Sequence, residues 1–274
     1  MKRLATAAVL IPLALAAIYL LPAWGFFALL VALFAICAVE YLAIVRHRTP
    51  HTPRWPLLLL VPLAAFGLAV VLQGWVAPSP FQLLAVGVLS TILVPTIVLF
   101  AKVPLDESLA SLGALGFGIP YLAFTIASLH HLQASDPDLV ILVCAIVWMG
   151  DTGAYYIGSR WGRHKLAPTI SPKKSWEGAS AGLVMSLLAA VGWSFWKFGW
   201  LDSRVVVIGV AAAIAGQIGD LAESMVKRGA GVKDSGNILP GHGGMLDRMD
   251  SLLFAAPTTL VVAWLLGFEV IAAR

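Results

Sequence analysis

Apolar residues in this chain fall in long blocks, not at every second or every third position. Nine blocks, near residues 4–22, 24–45, 57–76, 81–101, 111–130, 138–157, 178–199, 204–226 and 251–272, read as candidate membrane spans. Each approaches the roughly 17–25 residues a spanning helix needs. Pro22, Pro53, Pro56, Pro78, Pro80, Pro104 and Pro137 punctuate the proposed ends. Pro95 and Pro120 lie inside the fourth and fifth blocks, where a transmembrane helix tolerates them. The pattern predicts an all-α polytopic membrane protein with about nine transmembrane helices. It also predicts a single transmembrane domain over 1–274, because no polar stretch is long enough to fold alone. Residues 1–137 read mainly as membrane scaffold, whereas 138–274 carry the polar segments.

Composition agrees. The 274 residues are 60% hydrophobic and 12% charged, with mean hydropathy +0.91. An average soluble domain is roughly 45–50% apolar and about 25% charged. The net charge of +4 does not point to nucleic acid, since the basic residues sit in short loops between blocks. With the N-terminus cytoplasmic, 15 of the 18 Lys and Arg fall on the cytoplasmic side. Only Lys197, Arg204 and Arg274 lie outside, so the bias in basic residues favours N-in and C-out, the C-terminus being periplasmic or external. The opening MKRLATAAVLIPLALAAIYLLPAWG reads as an uncleaved span, its apolar run being long for a secretory signal. Cys37 and Cys144 lie in apolar runs and read as small buried hydrophobes.

Against this background one polar run stands out, Gly219 to Ser251. Asp220, Glu223, Ser224 and Lys227 are spaced i, i+3, i+4 and i+7, with Gln217 one turn earlier, so a helix puts them on one face. An ionisable group in mid-membrane costs at least about 2.5 kcal/mol, so that face must meet protein, water or ligand. Beyond it come Gly229, Gly231, Lys233, Asp234 and Gly236, then Pro240, Gly241, His242, Gly243 and Gly244. Asp247 and Asp250 follow one helical turn apart, with Arg248 between them. Two carboxylates at that spacing can hold a hard divalent cation. The topology brings Asp151, Asp220, Glu223, Asp247 and Asp250 to one membrane face.

A second constellation, between Ser159 and Glu177, holds Arg160, Arg163, Lys165, Lys173 and Lys174 with Ser171 and Ser175. Such a loop can bind phosphates or simply touch anionic headgroups, and its composition leaves both readings open. Glu40, near the inner end of the second block, reads as interfacial or helix-pairing, with a role in the site left open. His130 and His131 read as interfacial, and Trp193, Trp196 and Trp200 as an outer aromatic belt. Neither a Walker nor a Rossmann fingerprint occurs.

Ser224-x-x-Lys227-Arg228, Lys233-Asp234 and Pro240-x-His242-Gly243-Gly244-x-x-Asp247-Arg248-x-Asp250 together resemble the signature of the phosphatidate cytidylyltransferases, or CDP-diacylglycerol synthases. Ser171-Pro172-Lys173-Lys174-Ser175-x-Glu177-Gly178 is similar to a second block of that family. The resemblance implies transfer of CMP from CTP to phosphatidate at a site facing the cytoplasm, in a bacterial-type inner membrane. It implies catalytic roles for Asp220, Lys227, His242, Asp247 and Asp250. Substrate contacts would come from Ser171, Lys173, Lys174, Ser175, Ser224, Arg228, Lys233, Asp234, Gly243, Gly244 and Arg248. Mg²⁺ would be held by Asp220, Asp247 and Asp250, with Asp151 and Glu223 as further ligand candidates, and a second cation is left open. Membrane lipids are the implied surroundings, nucleic acid is not a partner, and a homodimer is left open. Two alternatives stand beside this reading. One is a related CTP-dependent transferase acting on another membrane lipid. The other is an ion-coupled transporter, which the clustering of charge at one face and the lack of matched broken helices disfavour.

Overall fold

In hydrocarbon a chain must satisfy its backbone N–H and C=O groups internally, which leaves helices as the economical solution for isolated apolar blocks. The computed structural model describes residues 2–74, 79–238 and 243–268, and it is helical almost throughout. The helices are α1 (Lys2–Leu20), α2 (Ala23–Val45), α3 (Trp55–Leu72), α4 (Pro80–Phe100), α5 (Leu105–Ser135) and α6 (Pro137–Trp161). After two short strands, β1 (Lys165–Ala167) and β2 (Ser171–Ser175), come α7 (Trp176–Phe198), α8 (Ser203–Gly229), α9 (Leu246–Met249) and α10 (Leu252–Leu265).

Among the described residues, six helices are long and apolar enough to cross a membrane: α2, α3, α5, α6, α7 and α8. The chain is therefore a multi-pass membrane protein. The other three predicted blocks also form helix, but with shorter apolar runs among the described residues. These are Ile11–Leu20 in α1, Gly87–Phe100 in α4, and the 14 residues of α10. Pro120 does not end α5, which runs for 31 residues.

The described residues are nearly all-α, as expected, apart from one short hairpin. β1 and β2 pair antiparallel, Lys165 opposite Ser175 and Ala167 opposite Ser171, in the basic segment between α6 and α7. Pro168 and Pro172 deny this segment a regular helix, and the hairpin pairs its backbone groups instead. Trp176 N donates to His164 O at 2.9 Å, which seats the start of α7 on the hairpin.

Long α5 packs against α2, α3, α4, α6 and α10. Leu122, Ile126 and Leu132 of α5 belong to the same buried core as Phe34, Cys37 and Ile44 of α2 and Leu142 and Ile146 of α6. The second half is built differently, with small residues letting helices close to backbone contact. Gly158 on α6 faces Gly178 on α7, and a Cβ at Gly178 would stand 2.9 Å from Ala154 O and 3.1 Å from Gly158 Cα. Without a hydrophobic drive between helices in lipid, this close packing is the main attraction available.

At the opposite end of α6 and α7, Lys197 Nζ bridges Asp136 and Asp138 at 2.6 and 2.5 Å, while Tyr19 donates to Asp138 at 2.6 Å. Two surface expectations change here. His130 is fully buried, its Nε2 2.8 Å from Gln73 Nε2 and its ring against Trp24 and Phe27. Trp193 is also buried and donates to Asp138 O at 2.9 Å, so of the three tryptophans only Trp196 and Trp200 are exposed.

Candidate active site

The C-terminal halves of α6 and α8, which carry Asp151 and Asp220, meet the hairpin around a cavity of about 490 Å³. Asp151, Tyr155 and Ser159 line it from successive turns of α6. Lys165, Lys173, Lys174 and Ser175 line it from the hairpin, and Gln217 and Asp220 from α8. The hairpin turns the basic segment into a wall: Lys174 Nζ reaches Asp220 Oδ2 at 2.6 Å. Ser175 is the N-cap of α7, its Oγ accepting from Gly178 N at 3.2 Å, so capping and cavity lining fall on one side chain. Gln217 Nε2 donates to Ala179 O at 3.0 Å, tying α8 to α7 beside the cavity.

A second charged cluster lies at the last turns of α8. Lys227 is 8% exposed; its ammonium pairs with Glu223 one turn back and with Asp247 Oδ1 at 2.6 Å. Asp247 also accepts from Ser235 N at 3.0 Å and Gly244 N at 2.9 Å. Burial alone would raise the Asp247 carboxyl, but Lys227 and these amides overcome it and hold it down at about 2. Gly243 passes the same carboxylate at φ +79, where a Cβ would come within 2.8 Å of Asp247 Oδ2. The glycine is required there both by the left-handed backbone and by the close approach.

Asp250 connects the two clusters. Its Oδ1 accepts from Ser251 N at 2.6 Å, and its backbone lies under Gly219, where a Cβ would stand 2.7 Å from Asp250 O. Burial, followed by the charges of Asp220 and Glu223, pushes its carboxyl well above the ordinary carboxylate range. Asp151 and Asp220 also act on one another through space, as do Asp151 and Arg248.

The predicted site residues thus divide. Asp151, Asp220, Lys173, Lys174 and Ser175 share the cavity, whereas Glu223, Lys227, Gly244 and Asp247 form the buried loop cluster. Ser224 Oγ makes a long 3.5 Å contact to Asp220 Oδ1. Arg228 donates to Ile170 O at 3.3 Å and Val232 O at 3.1 Å, binding α8 to the hairpin turn. Ser171 pairs within the hairpin outside the cavity lining, and Lys233 and Asp234 are exposed on the loop. His242 lies outside the described residues. Among the described residues, no three acidic, His or Cys side chains converge as a single metal-holding group. Tyr155, Ser159 and Gln217 were not among the predicted site residues. Tyr155 and Ser159 stand four and eight residues after Asp151, a helical spacing that was available to find them.

The sequence profile described as the cytidylyltransferase family matches residues 1–266. A phosphatidate cytidylyltransferase of Staphylococcus saprophyticus is 38% identical over 205 residues, covering 71% of this chain and 75% of that protein. Proteins of the same name from Brucella suis and Haemophilus influenzae are 44% and 39% identical over 151 and 167 residues. Those two alignments cover 51% and 58% of this chain, and 53% and 57% of the relatives, so the chain spans little more than half of their length. With the profile running from the first residue through the end of α10 and over the whole polar run, the chain belongs to the cytidylyltransferase family.

Proposed function

We propose that the chain transfers CMP from CTP to phosphatidate, forming CDP-diacylglycerol and pyrophosphate, with the site at the cytoplasmic face of a bacterial inner membrane. One observation carries this reading beyond the family: lysines of the hairpin and carboxylates from the C-terminal halves of α6 and α8 face each other across one cavity. A phosphate oxygen of the lipid attacks the α-phosphorus of CTP, and the bond to the bridging oxygen of the departing pyrophosphate breaks. The nucleophile is already an oxyanion, so the barrier lies in bringing two polyanions together.

Lys173 and Lys174 line the cavity and are the residues to receive phosphate oxygens. Lys227 is held between Glu223 and Asp247, so it organises the loop under the site and keeps the buried carboxylates compensated. The donor set fits Mg²⁺, which usually takes one or two carboxylates and completes its shell with water and phosphate oxygens. Asp220 and Asp250 would hold it, with Asp151 as a further candidate and Lys174 exchanging Asp220 for a phosphate oxygen; Asp247 is already occupied by three donors. When bound, the ion would offset charge on the reacting phosphates. The diacyl tails stay in lipid while the headgroup reaches the cavity past Tyr155, which is 70% exposed.

The test is formation of CDP-lipid by the purified chain supplied with CTP, dCTP or ATP, phosphatidate or another lipid acceptor, and Mg²⁺. Product from CTP and phosphatidate supports the reading; product only from another acceptor would replace it with a related lipid transferase.

A further inference from the structure

Glu40 is an acid in an otherwise apolar stretch of α2, far in sequence from either cluster, and only 3% exposed. Its carboxylate is turned toward the glycine loop. Oε1 accepts from Met245 N at 3.1 Å, and Oε2 accepts from Leu246 N at 2.8 Å and from Ser235 Oγ at 3.4 Å. The loop comes close enough for this only because it lacks side chains at two points. A Cβ on Gly236 would stand 2.6 Å from Oε1, and one on Gly244 would stand 2.7 Å from Oε2 and 2.0 Å from Ser235 Oγ. Glu40 therefore grips both flanks of residues 236–244 at once.

The grip passes directly to the charged cluster. Ser235 Oγ also accepts from Asp247 N at 3.3 Å, while Ser235 N donates to Asp247 Oδ2 at 3.0 Å. Asp247 in turn holds Lys227. We infer that Glu40 is a positioning residue of the transferase: it ties the α1–α5 half to the loop and thereby fixes Asp247 and Lys227 relative to Asp250. A carboxylate suits this task because it only accepts, and three donors face it. A carboxamide would turn an NH₂ toward at least one of those donors.

The inference rests on the proposed activity, so its test has one arm that needs no turnover. In the full chain, purified with lipid and supplied with CTP, phosphatidate and Mg²⁺, Glu40→Gln lowers kcat about tenfold or more while both KM values stay within about threefold. Glu40→Asp keeps two acceptor oxygens and recovers part of that loss, and Ser235→Ala gives a smaller loss in the same direction. Independently of catalysis, trypsin cuts at Lys233 faster in Glu40→Gln than in the parent, with Tm lowered by no more than about 2 °C. Parental kcat with parental cleavage overturns the inference, as does a kcat loss equal to the loss of folded protein. If the parent makes no CDP-lipid, the proposed function fails and cleavage at Lys233 alone decides for or against Glu40.

Discussion

Lys174 Nζ lies 2.6 Å from Asp220 Oδ2, joining the second strand of the hairpin to the polar face of α8 across the cavity mouth. Both side chains keep a quarter or more of their surface exposed, 25% and 29%. An ion pair that open contributes only about 0–1 kcal/mol to stability. Its residues are therefore available for ligand at little cost to the fold.

The first prediction follows from that balance. Lys174→Ala lowers kcat/KM for CTP by about tenfold or more, the worth of one lost charge-assisted contact of about 1.5–3 kcal/mol. Thermal unfolding moves little. Steady-state kinetics at varied CTP, with a melting curve on the same preparation, separate the two effects; parental kinetics would remove Lys174 from the phosphate site.

Lys227 behaves in the opposite way. Its ammonium is shared by two carboxylates whose side chains are 2% and 11% exposed, and removing it leaves both without their cation. Breaking a buried pair from one side costs about 3–5 kcal/mol. Lys227→Met therefore lowers the denaturation midpoint markedly, and adding Glu223→Gln restores part of the loss. A Lys227→Met variant as stable as the parent would show that Glu223 and Asp247 are not held by this residue.

The contrast between the two lysines marks what the sequence could convey. Helical spacing placed Asp220, Glu223, Ser224 and Lys227 on one face, and hydropathy located the six long spans. These are local properties, legible from neighbours three or four residues away. Which carboxylate each lysine meets is decided by tertiary contacts, such as Lys174 crossing to α8. Glu40 is the extreme case, since its partner Leu246 lies 206 positions along the chain. The hairpin was hidden for another reason: a short run of prolines and cations reads as a loop, and only pairing within the fold makes it a strand.

The seam between α6 and α7 yields a prediction about assembly. Gly178 faces Ala154 O and Gly158 Cα with no room for a side chain. Gly178→Leu must push α6 and α7 apart, and overpacking of this kind costs about 1–3 kcal/mol. The cavity should suffer as well, because Gly158, Ser175 and Gly178 line its wall. A lowered melting temperature together with weaker CTP binding is expected. Unchanged values in both would mean the helices pack differently from the arrangement described.

Asp250 offers the sharpest separation of stability from activity. Burial and the charges of Asp220 and Glu223 disfavour its ionised form, and the hydrogen bond from Ser251 N offsets only part of that. A carboxyl whose folded pKa is raised makes the fold less stable as pH climbs above the ordinary carboxylate value. In chelator at neutral pH, Asp250→Asn should therefore melt higher than the parent, because it removes a charge that its surroundings oppose. The same substitution should abolish CDP-lipid formation if Asp250 helps hold the cation. Adding Mg²⁺ should then raise the parent's melting temperature and leave the variant's where it was, since only a protein that binds a ligand in its folded state gains stability from it. Equal Mg²⁺ responses in the two proteins would exclude Asp250 from the metal site, and a parent that melts above the variant in chelator would show that the crowding of carboxylates is relieved by something other than a divalent ion.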